Sequence, residues 1–258
     1  MAEAYSDVRG FRTLLVKEIR RFVTVIGQTV TAPVVTALLY LAVFAQALEG
    51  KASAYPGVTY TQFLVPGLIM MSILQNAFAN TSSSLTQSKL MGNLVFILMA
   101  PLSSIEVFLA YVLAALLRAG LVTVVLILVT WSVVHLELRQ PLVLLAMFLL
   151  AGGSLAALGL IAGIVSTKFD HLAAFQNFVI MPLSFLSGVF YSIHSLPPFW
   201  EHVSRFNPFF YLIDGFRYGF FGVGDAPIGE SLLWGLGCFL VVASICVLML
   251  KSGYRLRA

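Results

Sequence analysis

The chain has 258 residues, of which 60% are hydrophobic and only 10% charged, and its mean hydropathy is +0.97. Soluble domains run at about 45–50% apolar and about 25% charged, so a soluble globular protein is excluded and an all-α integral membrane protein is expected. The net charge of +4 carries no nucleic-acid signal, because the basic residues sit at the ends of apolar runs, where charge bias sets orientation.

Residues 8–22, VRGFRTLLVKEIRRF, place Val8, Phe11, Leu15, Ile19 and Phe22 on one helical stripe, with Arg9, Arg12, Lys17, Arg20 and Arg21 mostly off it. This predicts an amphipathic interfacial helix, its apolar face in membrane lipid and its basic face toward anionic headgroups. The plainer reading is a charged flank that stops the next span sliding. No cleavable signal peptide is expected, because this charged stretch leads straight into an apolar run of full span length.

The first span is expected over 23–47, with Pro33 near its middle, where neighbouring helices satisfy the freed carbonyl. A polar loop over 49–61 follows, then a second span over 63–79. Pro66 near its start, and Gln75 and Asn76 near its end, argue that one face meets protein. Residues 81–104 read as a long loop, polar through TSSSLTQSKLMGN and apolar through LVFILMAP, closing at Pro101. That segment is too short and mixed to span. A cytoplasmic helix along the membrane surface fits it, and is the obvious place for another protein to grip.

The third span, over 105–134, carries Arg118 in its interior. The fourth, over 142–165, contains AGGSLAALGLIAGI. Gly159 and Gly163 form a GxxxG pair, and Gly153 with Ala157 extends the small face. Such faces let helices approach closely, in the same chain or another. A fifth span is expected over 173–191 and a sixth over 231–250, where Cys238 and Cys246 share one apolar run. Two cysteines make neither a disulfide framework nor a metal site. The tail KSGYRLRA is basic.

Between the last two spans lies the densest aromatic stretch. Thirteen of the 33 aromatic residues fall between Phe185 and Phe221. The stretch starts as a span, breaks at Leu196-Pro197-Pro198, and runs into a 14-residue apolar patch from Phe209 to Gly222. A spanning helix needs roughly 20 apolar residues, so two re-entrant half-helices within 194–228 are expected before the sixth span. With both termini cytoplasmic, ten lysines and arginines fall inside and four outside, Lys51, Arg139, Arg205 and Arg217. This bias agrees with six spans.

Chemistry-bearing residues are few. A phosphate-cradling G-x-x-x-x-G-K-[ST] loop is lacking: the Gly50-Lys51 pair is followed by Ala52, and position 45 is Ala45. ATP hydrolysis would therefore come from a partner. Arg118 should face protein or water, since a charge in a span costs about 2.5–3.5 kcal/mol on insertion scales. It would contact an anionic headgroup or phosphate in a central pathway, or make a structural hydrogen bond to carbonyls, Gln75 or Asn76. Asp214 and Arg217, at i and i+3, can pair on one helical face as an outer gate or simply as a tolerated ion pair. The aromatic crowd is an interfacial belt or a greasy exit for a lipid. With Tyr191 and Phe210 from that crowd, these residues make up the pathway or gate candidates. His194, Glu201 and His202 do not share a face and lack a fourth ligand, so no metal is expected.

SFLSGVFY, then LPPFW, then NPFFYLIDGFRYGFFG, together with KEIRRF, QFLVPGLIMMS and a loop ending in MAP, resembles the membrane subunits of type-2 ABC exporters along nearly the whole chain. The likeness is greatest to their YadH-like branch, near the Nod-factor and polysaccharide-export permeases. The resemblance implies a connecting helix, six spans, a coupling helix between spans two and three, two re-entrant helices, pairing with a second copy, and two separate ABC ATPase subunits that bind ATP and Mg. It implies a dimer face on spans one and five with the re-entrant helices. Lys89, Asn93, Leu94, Phe96, Leu98 and Pro101 fall in the coupling segment, which departs from relatives in lacking a carboxylate before Pro101. No cofactor is expected in this chain itself.

The function expected is a permease subunit, not itself an enzyme, moving a lipid, glycolipid, polysaccharide or drug outward across the bacterial inner membrane. An ion-coupled secondary transporter or channel would place acids or histidines inside spans, and the middles of the predicted spans hold no Asp or Glu. A membrane enzyme would cluster a nucleophile, base or metal ligands. A non-transporting scaffold would bind a partner without stimulating ATP hydrolysis.

Overall fold

Apolar sequence becomes helix here because backbone groups deprived of water must find partners within their own segment. The computed structural model describes residues 8–47, 55–131, 134 and 136–255, and among these the elements are all helical. Helix α1 (Val8–Thr24) turns at Val25 into α2 (Ile26–Ala47). The loop expected over 49–61 lies partly outside the described residues. Helix α3 (Tyr60–Leu90) opens on a capping box: Gln62 N donates to the Thr59 hydroxyl at 3.2 Å, and Thr59 N donates to the Gln62 side chain at 2.9 Å.

Helix α3 does not stop near residue 79. It runs 31 residues, and the polar TSSSLTQSKL stretch is its last part, not a surface loop. The hydroxyls make this possible by turning back on the helix or onto a neighbour. Ser82 Oγ donates to Phe78 O at 2.8 Å, Ser83 Oγ to Ala79 O at 2.5 Å, and Thr81 Oγ1 to Ala156 O at 2.8 Å. The separate surface piece is only α4 (Leu94–Met99).

Helix α5 (Ser104–Trp131) and α6 (Pro141–Val165) follow. The next segment is not one long helix. It is α7 (Phe169–Phe175), a π turn (Gln176–Ile180) and α8 (Met181–Phe185), together 17 residues. In the π turn Met181 N reaches back to Gln176 O. Pro182 then supplies no donor, and Gly188 takes a left-handed φ of +73° that turns the chain away. Helices α9 (Pro198–Arg205) and α10 (Pro208–Phe221) form the aromatic return, and α11 (Ile228–Ser252) closes the fold. Five helices, α2, α3, α5, α6 and α11, are long and apolar enough to cross a membrane.

Helix α3 is the post around which the others pack. Its partner α6 presents the small face predicted for it: a β-carbon at Gly159 would lie 2.5 Å from Phe78 O, and one at Gly163 would lie 3.0 Å from Leu85 Cβ. The GxxxG pair therefore serves a contact within this chain. Gly153 does not extend that face. It lies about one and two-thirds turns before Gly159 and looks at α11, where a β-carbon on it would come within 2.8 Å of the Phe239 ring.

Helix α1 also differs from expectation. Its buried residues are Leu14, Glu18 and Phe22, and it packs mainly against α5, so one face meets protein. The basic side chains collect at one end of the molecule. Arg21 meets the last turns of α3, and Lys89 donates to Ile164 O at 2.6 Å and Ser166 O at 3.1 Å, satisfying carbonyls at the C-terminus of α6. Arg139, Arg205 and Arg217 belong to the opposite end, where Arg139 Nη1 donates to Phe221 O at 3.2 Å.

The α3–α6 contact has no room for added volume. Gly159→Val should lower stability by about 1–3 kcal/mol or more through overpacking, read as a reduced melting temperature of the detergent-purified chain, whereas Gly237→Ala, where nothing lies within 4 Å, should leave it nearly unchanged.

Candidate functional site

Three regions carry the polar and exposed groups that the fold does not consume. The first is the aromatic return. Helix α10 buries both its charges, and they do not pair with each other. Arg217 Nη2 donates to Gly188 O at 2.8 Å, and its guanidinium stacks 3.8 Å above the Phe63 ring. Asp214 accepts from Asp225 N at 2.9 Å, Ala226 N at 3.0 Å and the Tyr55 hydroxyl at 3.3 Å. Each charge thus holds a stretch of irregular backbone, which is why the expected i,i+3 pair does not form. Phe210 is buried with Ile193, Tyr211 and Ala226. The Tyr191 hydroxyl donates to Phe185 O at 3.0 Å. Both belong to the packing of the return.

The second region is a cavity of about 590 Å³ between α1, α2, α3, α5 and the π turn. It brings together Gln75, Asn76 and Arg118, as grouped from sequence, and adds Arg21, Gln28 and Gln176. Arg118 Nη1 reaches Asn80 Oδ1 at 3.4 Å, not Gln75 or Asn76. Gln75 Nε2 touches Met181 Sδ at 3.5 Å, and Asn76 Nδ2 bonds back to Ser72 O at 3.0 Å. Asp214, Arg217, Tyr191 and Phe210 do not line this cavity.

Sequence reasoning missed the ionic floor beside it. Glu18 is fully buried. It accepts from Ser84 Oγ at 2.6 Å and Lys17 Nζ at 2.7 Å, and lies 3.4 Å from Arg21 Nε. Arg21 in turn donates to Asn80 O at 2.7 Å and Asn80 Oδ1 at 2.9 Å. The signal was available: Leu14, Glu18 and Phe22 recur every four residues, so the lone acid of a basic helix shares the face of two apolar residues.

The third region is α4. Leu94 is buried, but Phe96 is 73% and Met99 78% exposed, with Val95 and Leu98 exposed beside them. Asn93 and Pro101 flank it on the surface, while Lys89 is turned inward onto α6. At the opposite end, Glu201 accepts from Arg205 Nη2 at 2.9 Å and lies 3.3 Å from His194 Nδ1, while His202 packs on Phe206. The Arg205 hydrogen bond, helped by the charges of Arg205 and His194, holds the Glu201 carboxyl below its usual range. Among the described residues no three His, Cys, Asp or Glu side chains gather as a metal site would require.

Membrane-length helices, a polar cavity and a short exposed apolar helix are thus the features left for function, and the comparison with known proteins supplies the class. The family of ABC-2 type transporters matches residues 9–221. The chain belongs to the ABC-2 type transporter family. It is 34% identical over 251 residues to the inner membrane transport permease YadH of Escherichia coli K12, covering 96% of this chain and 97% of the relative. It is 24% identical over 206 residues to nodulation protein J of Rhizobium meliloti, covering 80% and 78%. It is 25% identical over 181 residues to nodulation protein J of Rhizobium leguminosarum bv. trifolii, covering 70% and 69%. This ABC-2 chain is a multi-pass membrane protein and a transport permease, and its family implies an ABC ATPase partner and dimerisation in general.

In this permease the aromatic return depends on Arg217. Arg217→Ala should strand the Gly188 carbonyl and cost about 1–3 kcal/mol per unsatisfied buried group. The check is thermal melting together with limited proteolysis across 186–197, and Arg217→Lys should recover only part of the loss because it cannot reproduce the planar stacking on Phe63.

Proposed function

We propose that the chain is the membrane half of an ATP-driven exporter, pairing with a second copy of itself and with two copies of a separate ATPase that binds ATP and Mg. It sits in the bacterial inner membrane with both termini in the cytoplasm. The segment 169–190 makes a sixth crossing despite its short helices. Phe175 stacks on Phe78, Gln75 touches Met181, and the Tyr60 hydroxyl donates to Phe190 O at 2.7 Å, so the segment follows α3 through most of its length. Helices α9 and α10 then dip back as the re-entrant pair on the outer side.

The observation that carries this reading is α4. It is too short to span and lies at the end where Arg21, Lys89 and Arg255 gather. Its exposed apolar side chains are the kind of contiguous patch that marks a protein contact. Family membership supplies the class of partner. Asn93, Phe96, Leu98 and Pro101 form the grip for the ATPase, Leu94 anchors α4 to the core, and Lys89 ties α3 to α6 behind it. A rigid α3 links that grip to the cavity. An amphipathic cargo (a lipid, glycolipid, polysaccharide or drug) enters the cavity and leaves outward, with the aromatic return as the outer gate.

The test uses the tagged chain expressed in its native cells. The wild type should co-purify in gentle detergent with a Walker-motif ATPase, and Phe96→Asp with Met99→Asp should lose that partner while keeping its melting temperature. Full recovery of the ATPase with the double variant would remove α4 from the contact, and a wild-type chain that brings down no ATPase would overturn the exporter reading.

A further inference from the structure

The floor of the large cavity carries more positive charge than its own residues balance. Arg21 and Arg118 both aim at one amide oxygen, Asn80 Oδ1, at 2.9 and 3.4 Å. Glu18 is the carboxylate beside them, and it is already shared with Lys17 at 2.7 Å. Lys17 is half exposed and met by solvent, so the cavity sets two guanidinium groups, Arg21 and Arg118, beside one buried acid. Arg118 has no carboxylate within 4 Å among the described residues, and its Nε, like that of Arg21, makes no hydrogen bond within the chain. An amide oxygen does not neutralise two guanidinium groups. A missing counter-charge is what remains.

The size and shape of the space narrow what supplies it. A cavity of about 590 Å³ leaves a free inorganic anion mostly surrounded by empty volume. Lining residues run along α2 from Gln28 to Tyr40, about 18 Å at the helical rise. The basic groups lie at the α1 end, and away from them the wall includes Ala32, Pro33, Ala37, Leu68 and Met71. Guanidinium forks match the oxygens of a phosphate and bind it in paired fashion.

We propose that this cavity is the cargo site and takes a phosphate-bearing amphiphile, with its anionic headgroup on Arg21 and Arg118 and its chain along Pro33, Ala37, Leu68 and Met71. That the bound molecule is cargo rests on the exporter reading; that the site binds it does not. Arg118 acts through direct contact with the headgroup. Arg21 does the same while it also joins α1 to α3.

The experiment is a binding titration of the purified full chain in a nonionic detergent, without any ATPase. The probes are dihexanoyl phosphatidic acid, dihexanoyl phosphatidylcholine and inorganic phosphate. Arg21 is locked into the Glu18–Asn80 network, so Arg118 is the position to vary. Phosphatidic acid should bind saturably and the zwitterionic lipid about tenfold more weakly or worse, and Arg118→Gln should lose about tenfold in affinity for phosphatidic acid while Arg118→Lys recovers only part of that loss, because an ammonium cannot bind in paired fashion. Equal affinity for the two lipids, or phosphatidic acid binding unchanged in Arg118→Gln, would overturn the site even if that variant melts at a lower temperature. Inorganic phosphate binding as tightly as phosphatidic acid, with the same dependence on Arg118, would make free phosphate the ligand and overturn the amphiphile. A chain that binds phosphatidic acid but recruits no ATPase would keep this site and lose the exporter reading, and the reverse pattern would do the opposite.

Discussion

A stray N–H or C=O shut away from water must find a partner within the protein, and this constraint explains where several of the polar side chains go. Lys89 is held on the last carbonyls of α6. Asn207 caps α10 by accepting from Phe209 N at 3.0 Å and reaches Leu183 O at 2.8 Å. Arg217 covers the Gly188 carbonyl, and Asp214 covers the amides of Asp225 and Ala226. Where the chain departs from helix, a buried side chain takes over the job of the missing backbone partner. Asp214 and Arg217, the charges of the expected pair, each hold irregular backbone instead of each other.

Composition made the class of protein legible, and apolar run length located five of the helices. Boundaries failed where length and polarity disagreed. The serine- and threonine-rich end of α3 reads as loop because those residues prefer water in isolation, but in place their hydroxyls find carbonyls on their own helix and on α6. The fifth expected span is not one continuous α-helix. Its sequence is apolar enough, but Pro182 and Gly188 break the ladder within it, a π turn precedes them, and the helix ends at 17 residues.

The candidate site was half legible. Gln75, Asn76 and Arg118 do share a cavity, because polar residues in the middle of apolar helices have few other places to go. Arg21 was hidden by its neighbours, because in a run of five basic residues each one looks like surface, whereas Glu18 was readable from its place between Leu14 and Phe22 on one helical face. The GxxxG pair was recognisable as a close contact, but not as one with α3, since spacing defines a face and not the helix that meets it.

In the proposed exporter, the structure ties three places together with one element. Helix α3 leads from the Tyr60 contact with the aromatic return, past Gln75 and Asn76 at the cavity and Asn80 beside Arg21 and Arg118, to Leu90 beside α4. A push on α4 would be felt along that rod. The most direct measurement labels the cavity in the assembled transporter: Ser72→Cys, in a background with Cys238 and Cys246 replaced, reconstituted with its co-purifying ATPase and probed with a membrane-impermeant maleimide from each side. The account predicts labelling from the basic, cytoplasmic end in the resting state and its loss when ATP and vanadate trap the closed ATPase. Labelling that is indifferent to nucleotide, or that comes from the opposite side in the resting state, would contradict it.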